Sequence, residues 1–338
     1  MAPTTVCGVR AIQITSFGGP EVLRPAQLDE PADGPGRRLV DVEAAGVNFA
    51  DTHQVENTYL APASLPMVPG AEVVGRRRTD GRRVVALLGG GGYAEVAAAD
   101  PDATFEIPDD LDAGTALALV LQGTTAWHLL RTSTQLARGE SVVVHAAAGG
   151  VGSLAVQLAR RWGAGRVIAT ASTAEKRQLA LSLGADAAVD VSSCPDAGAV
   201  RDVLLDANNG RGVDVVLEMT GGAVFDGSLA ALAPFGRLAV YGAASRRQGS
   251  PVPPGALMGR STSVVGFWLV DAVRRRSAGG LRPAMEELLS MTVTGVLHPV
   301  VGGHYPLEDA ARAHTDLRSR GTRGKLVLDV RNRAAAAR

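Results

Sequence analysis

The segment 145-HAAAGGVG-152 limits what this chain can fold into more than any other stretch. The valine run Val142–Val144 precedes it, and SLAVQLARRW follows. Val151, Ala155, Leu158 and Trp162 recur at i, i+4, i+7 and i+11, which places them on one helical face. A buried strand, a glycine turn and a helix are therefore predicted in immediate succession. That is the setting of a dinucleotide-binding fingerprint, with Ala147 replacing the first glycine of G-x-G-x-x-G. Gly149 would let the backbone approach a pyrophosphate, and Gly152 would let the helix pack closely on the sheet. Ala148, Gly149, Gly150, Val151 and Gly152 form the expected phosphate cradle, at a helix start with free N–H groups and a partial positive charge.

The flanking pattern agrees. RVIATA (166–171), AAVDV (187–191), VDVVLEM (213–219), RLAVYG (237–242) and SVVGFWLV (263–270) are short apolar runs, and helical patterns separate most of them. Near-continuous apolar strands alternating with helices mean a parallel sheet covered on both faces. Residues 1 to about 100 instead carry short β-type runs punctuated by Gly, Pro and Asp, which suggests an irregular barrel. Residues 110–137 read as helical, and the chain closes with helix, helix, strand. The last strand, in GKLVLDV, could return to the first domain. The expected organisation is a catalytic domain over 1–125, completed by 271–338, and a cofactor domain over 126–270.

Composition removes other classes. With 34 basic and 34 acidic residues the chain lacks the basic excess of a nucleic-acid binder. Only Cys7 and Cys194 are present, too few for a disulfide framework or a cysteine-built zinc site. No apolar run is long enough to span a membrane, and the first residues lack a secretory pattern, so a cytoplasmic location is expected. All but two of the basic residues are arginines, so arginine abundance carries no functional weight; the lysines are Lys176 and Lys325.

The second strand selects the cofactor. NAD sites usually end it with Asp or Glu, but Ala171 stands there, followed by Ser172, Thr173 and Lys176. A carboxylate would repel a 2′-phosphate by about 4 kcal/mol at roughly 4 Å and an effective dielectric near 20. Hydroxyls with a cation suit that phosphate, so NADPH is expected, bound partly through Ser172 and Lys176.

Taken in order, 17-FGGPEVL-23, 46-GVNFAD-51, 69-PGAEVVG-75, 145-HAAAGGVG-152, 183-LGAD-186 and 324-GKLVL-328 resemble the medium-chain dehydrogenase/reductases across nearly the whole chain. Within them the chain is similar to the zinc-free quinone oxidoreductase branch. The resemblance implies an α/β fold, with a Rossmann doubly wound parallel sheet and a GroES-like irregular β-barrel domain. Zinc-dependent relatives hold zinc with a cysteine and a histidine where this chain has Asn48 and Ala71, so no metal is expected.

The resemblance also places Asn48 and Asp51 beside the nicotinamide and its ribose, with Tyr59 lining the substrate cleft. Thr125 would lie near the nicotinamide amide, Tyr241 and Gly242 beside the adenosine or ribose, Phe267 and Trp268 on the nicotinamide side, and Arg320 near the cofactor. His53 stands where bacterial relatives have a tyrosine, as either a proton donor or an exposed loop histidine. Val191 replaces a tyrosine near the 2′-phosphate, which leaves the NADPH argument to Ser172 and Lys176. His128 reads as a cofactor-side contact or as packing, and Trp268 as a cleft wall or as core. His145 reads as a buried, hydrogen-bonded histidine, and the arginines at 76–78 and 274–276 as solvated faces.

The activity implied is hydride transfer from NADPH to a quinone or an α,β-unsaturated carbonyl compound. The alternatives are an enoyl-thioester reductase and a non-catalytic NADPH-binding protein of the crystallin type. The expected partners are a small-molecule substrate and a second copy of the chain paired along SVVGFWLV, with no nucleic acid and no membrane.

Overall fold

The structure, a computed structural model, describes residues 8–34, 36–274 and 280–331. Cys7, Arg275 and Arg276 lie outside the described residues. Its strands run in chain order as β1 (Val9–Gln13), β2 (Arg24–Leu28), β3 (Arg38–Val47), β4 (Glu72–Arg77), β5 (Arg83–Leu87), β6 (Val96–Ala99), β7 (Thr104–Glu106) and β8 (Ser141–Val144). There follow β9 (Arg166–Thr170), β10 (Ala187–Val189), β11 (Val213–Glu218), β12 (Leu232–Val240), β13 (Ser263–Gly266), β14 (Val301–Pro306) and β15 (Lys325–Asp329). The chain divides into two units, one of Met1–Leu121, Met285–Val293 and Pro299–Arg338, the other of Gln122–Ala284 and Thr294–His298.

In the first unit a sheet runs β14-β15-β3-β4-β5-β7, with β6 also paired to β3. All its pairings are antiparallel except β14 with β15. The closing segment does return: Leu326 pairs with Val47 and Leu328 with Ala45. Its core gathers Ile12, Ile14, Val40, Val73, Val84, Tyr93 and Leu328. β14 went unrecognised in sequence because 301-VGGHYP-306 reads as a loop. Gly302 is required there, since a Cβ would collide with the Arg323 carbonyl. The arginines at 76–78 are not a plain solvated face. Arg76, Arg77 and Arg78 pair with Asp109, with Asp80 and Glu106, and with Glu30 and Asp41.

The second unit holds a parallel sheet in the order β10-β9-β8-β11-β12-β13, a Rossmann arrangement. The order reverses between β8 and β11, and in such sheets ligands bind outside the strands' carboxyl ends at that point. The helix Gly150–Arg161 buries Gly152, Leu154, Ala155, Leu158 and Ala159. Val151 and Trp162 are only half-buried, and Trp162 ends the helix under the Arg131 guanidinium, 4.0 Å from its ring centre.

SVVGFWLV is shorter as a strand than its apolar length suggests. β13 does lie at a sheet edge, but it ends at Gly266. Phe267 N makes one more bond to Val240 O (2.8 Å), and then Asp271 N and Ala272 N turn back onto Trp268 O. No helix among the described residues is long and apolar enough to cross a membrane.

Gly75 sits in β4 opposite Val42, beside a register shift in β3. A Cβ there would strike the Asp41 carbonyl and lie 2.8 Å from Val40 Cγ1. Gly75→Ala is expected to cost about 1–3 kcal/mol, read as a lower urea midpoint. A parental midpoint would mean that the β3–β4 contact has slack.

Candidate functional site

In the second unit, β8 delivers the chain into a tight turn in which Ala146 takes a left-handed φ of 49°. Ala147 N donates to Thr170 O (3.0 Å) and Gly149 N to Ala146 O (2.8 Å). Gly149 then caps the helix without any side-chain bond. The N–H groups of Gly150, Val151 and Gly152 come too early in the helix for an intrahelical acceptor, which suits a bound anion. The glycines do different work. At Gly152 a Cβ would run into Ala146 O and come within 2.8 Å of Ala147 Cα, so close packing excludes a side chain. At Gly150 it would meet the Gln122 side chain, a constraint invisible in the local pattern. At Gly149 only Ala146 O lies near, at 3.1 Å, and the remaining space is open. Ala148 is buried in the same turn.

At the end of β9 no carboxylate follows Ala171. Ser172 is exposed, whereas the Thr173 hydroxyl is used as a helix cap, accepting from Lys176 N at 3.3 Å. Lys176 is half-buried, and that burial lowers its pKa. Glu175 shares the turn, its carboxyl held below the usual range by its own backbone N–H and the Thr173 hydroxyl. Arg177, not singled out from sequence, donates to Ala171 O at 3.0 Å and so brings a second cation to the strand end.

At the end of β11, Glu218 is buried at the sheet's carboxyl edge. Its Oε1 accepts from Thr220 N (2.7 Å) and Gly221 N (2.9 Å), while Oε2 has no partner among the described residues. Burial raises its pKa. Tyr241 N bonds Glu218 O, burial and Glu218 raise the phenol's pKa, and exposed Gly242 follows. Thr125 is buried in the helix Thr124–His128. His128 stacks on Phe267 at 5.7 Å, meets Trp127 edge-on at 5.0 Å, and is depressed in pKa by burial, an environment of packing. Trp268 lies half-buried, 5.8 Å from the Arg274 guanidinium. His145 is fully buried between the Thr170 and Ser228 hydroxyls (3.0 and 2.8 Å) and pushed down to about 4, as a neutral structural histidine.

The first unit holds a buried polar chain that the sequence exposed only in part. The β15–β3 register, one step beyond Leu326–Val47, brings Lys325 opposite Asn48, and the β3–β4 register brings Glu72 opposite Gly46. Lys325 Nζ donates to Asn48 Oδ1 at 2.9 Å and forms an ion pair with Glu72 Oε1. Asn48 Nδ2 donates to the same Glu72 oxygen at 2.7 Å. Both charged side chains are 0% exposed. A Cβ on Gly46 would collide with the Glu72 carboxylate and stand 2.5 Å from Lys325 Cε, so only glycine leaves room for the pair.

Asp51, in the first turn of the helix Phe49–Val55, accepts from Asn48 N (2.8 Å) and from the Tyr93 hydroxyl (3.0 Å). That hydroxyl also contacts His314 Nε2 at 3.0 Å. Burial pushes Asp51 up to about 7, against the pull of Asn48 N–H, Lys325 and Tyr93. Burial pushes His314 down to about 4. His53 bonds Thr58 Oγ1 at 2.8 Å and is half-buried, as is Tyr59. Arg320 is exposed at a left-handed φ of 58°. Asn48 and Asp51 are therefore brought together. Glu72, Tyr93, His314 and Lys325 were missed. The GAE and GKLVL segments holding Glu72 and Lys325 were recognisable, but no local spacing linked them.

Residues 34–109 match the family described as alcohol dehydrogenase GroES-like domain, and residues 150–288 the family described as zinc-binding dehydrogenase. The quinone oxidoreductase of Rattus norvegicus is 34% identical over 95% of this chain and 97% of its own length. A mycobacterial protein solved in complex with NADPH is 37% identical, with a TM-score of 0.88, over 95% of this chain and all of that one. Escherichia coli quinone oxidoreductase, complexed with NADPH, is 32% identical with a TM-score of 0.86, over 95% and 100%.

The zinc of that family description does not fit the residues present. Among the described residues no three His, Cys, Asp or Glu side chains group so as to hold a metal ion. The Asn48 Oδ1 already faces the Lys325 ammonium, and Glu72 carries that same ammonium.

Asp51 and His314 give opposite pH signatures. Asp51 keeps its proton to about pH 7, but an unfolded chain loses it near pH 4. Its contribution is therefore complete below about 4 and is lost as pH rises to 7. His314, neutral when folded, adds stability as pH rises from about 4 to about 6.5. Asp51→Asn removes only the first effect. Its stability relative to the parent should climb between pH 4 and 7 by on the order of a few kcal/mol and then level off, as read by urea unfolding across that range. A pH-independent difference would show that Asp51 is ionised throughout.

Proposed function

The chain belongs to the quinone oxidoreductase branch of the medium-chain dehydrogenase/reductase superfamily, and from that premise we propose that it is an NADPH-dependent reductase acting on a quinone. The observation that carries this is the similarity to quinone oxidoreductases, which runs over 95% of this chain. The strand end after β9 supports the choice of NADPH, with Lys176 and Arg177 present and no carboxylate on Ala171.

NADPH, when bound, supplies a hydride at its nicotinamide ring. The chain's own work is to hold and orient. The N–H groups at Gly150, Val151 and Gly152 would take the pyrophosphate, and the open face of Gly149 would allow it close. Ser172 and Lys176 would take the 2′-phosphate, with Arg177 beside them. Thr125, Tyr241, Gly242, Phe267, Trp268 and Arg320 belong to the same reading as cofactor contacts. Asn48 would donate through its carboxamide to the oxyanion that develops on the acceptor, which replaces a Lewis-acid metal with a fixed hydrogen-bond donor. Asp51 holds Asn48 in place through its backbone N–H. Tyr59 and His53 belong to the acceptor side. An α,β-unsaturated carbonyl compound presents the same developing charge and is the second acceptor class to assay. The reading includes a homodimer paired along β13, and a monomeric sedimentation mass would remove that part.

NADPH oxidation with a simple quinone and a simple enone in parallel, and NADH as control, tests the proposal. Turnover at least tenfold better with NADPH than with NADH is expected. Lys176→Glu should raise the KM for NADPH by tenfold or more and leave that for NADH little changed. No oxidation with either acceptor would overturn the reductase assignment, and an equal effect of Lys176→Glu on both cofactors would remove Lys176 from the phosphate site.

A further inference from the structure

We propose that Glu72 and Lys325 are positioning residues that fix which end of the Asn48 carboxamide faces the reacting acceptor; this rests on the reductase reading above. A carboxamide is nearly symmetrical in shape, with an oxygen at one end and an NH2 at the other. In an apolar pocket the two orientations would differ little. Lys325 can only donate and the Glu72 carboxylate can only accept. The first touches Asn48 Oδ1 at 2.9 Å and the second touches Nδ2 at 2.7 Å. Rotating the amide would set oxygen against carboxylate and NH2 against ammonium, two repulsions between fully buried side chains. One orientation alone survives. With its oxygen turned to Lys325 and its NH2 turned to Glu72, Asn48 would present an N–H rather than an oxygen toward an oxyanion. The flipped amide would offer an oxygen to a developing negative charge.

The cost of the arrangement supports a role beyond stability. Two fully buried opposite charges are commonly replaced by apolar residues with no loss of stability, because desolvation offsets their attraction. Here the pair is kept at 0% exposure, and β3 gives up a side chain at Gly46 to accommodate it. Asp51 contributes a second restraint by holding the Asn48 backbone N–H. Tyr93, which bonds Asp51, and His314 beyond it also face the cluster.

The test is the double variant Glu72→Leu with Lys325→Met, which removes both charges together and avoids stranding one. It is expected to unfold at the parental midpoint or above, to bind NADPH with an unchanged Kd, and to lose at least tenfold in kcat for quinone reduction. A merely structural role would leave kcat intact once folding is retained. The Asn48 side-chain NH2 signals in 15N spectra give a second readout. They should exchange slowly with solvent in the parent and at least tenfold faster in the double variant. Glu72→Asp alone, which remains acceptor-only, should recover part of the kcat that Glu72→Gln loses, since a glutamine can face Asn48 with either end. Full kcat in the folded double variant would overturn the proposal, as would lost kcat with Asn48 exchange unaltered. If the double variant does not fold, Gly46→Ala displaces both charged groups without removing them and must show the same loss. If the parent reduces no quinone with NADPH, the reductase reading fails, and the Asn48 exchange rates still decide whether the pair orients the amide.

Discussion

The buried pair of Lys325 with Glu72 ties the last strand of the chain to the sheet built by its first hundred residues. β15 is anchored to β3 by backbone bonds, but the ammonium adds a directional contact at the strand's first residue. Removing one partner would leave a lone charge in the core, which typically costs about 3–5 kcal/mol. The pair therefore has to form together with the β15–β3 and β3–β4 registers. Its position beside Asn48 then makes a fold-level constraint into a local one, because the same two groups that close the sheet also grip the amide.

The second unit is organised by a different requirement, the approach of backbone to backbone. Gly152 allows the helix Gly150–Arg161 to sit against the turn that follows β8, and Gly150 leaves space for Gln122. With those two positions filled by neighbours, the remaining open face is that of Gly149, next to the first N–H groups of the helix. A turn of this kind could take an anion without a charged side chain at its centre. Charge enters at the periphery, where Lys176 and Arg177 flank the end of β9 while Glu218 lies buried across the switch point with one oxygen unpartnered among the described residues.

Much of this was legible from residue order alone. The alternating Val-rich runs and helices gave the parallel sheet, and A-x-G-x-x-G gave its strand-to-helix turn, because both depend on neighbours within a few residues. SVVGFWLV was less legible: apolar content does not distinguish a strand from the bend that ends it, and β13 stops at Gly266. β14 was hidden for the opposite reason, since Gly302 looks like a breaker until the Arg323 carbonyl is seen to need its space. The arginines at 76–78 looked like solvated surface, because their carboxylate partners Asp109, Glu106, Glu30 and Asp41 come from other strands and loops.

Sequence by itself determined the family, the fold class, the glycine turn after β8 and the candidacy of Asn48 and Asp51. Only the tertiary structure decided what surrounds them. Lys325 stands 277 positions from Asn48, and His314 stands 221 from Tyr93. No periodicity reaches across such intervals. Strand register brings these groups together, and register is set by the pairing of whole strands. The identity of a glycine or a helix cap answers to its immediate backbone. The orientation of a buried amide answers to donors and acceptors that only the completed sheet assembles.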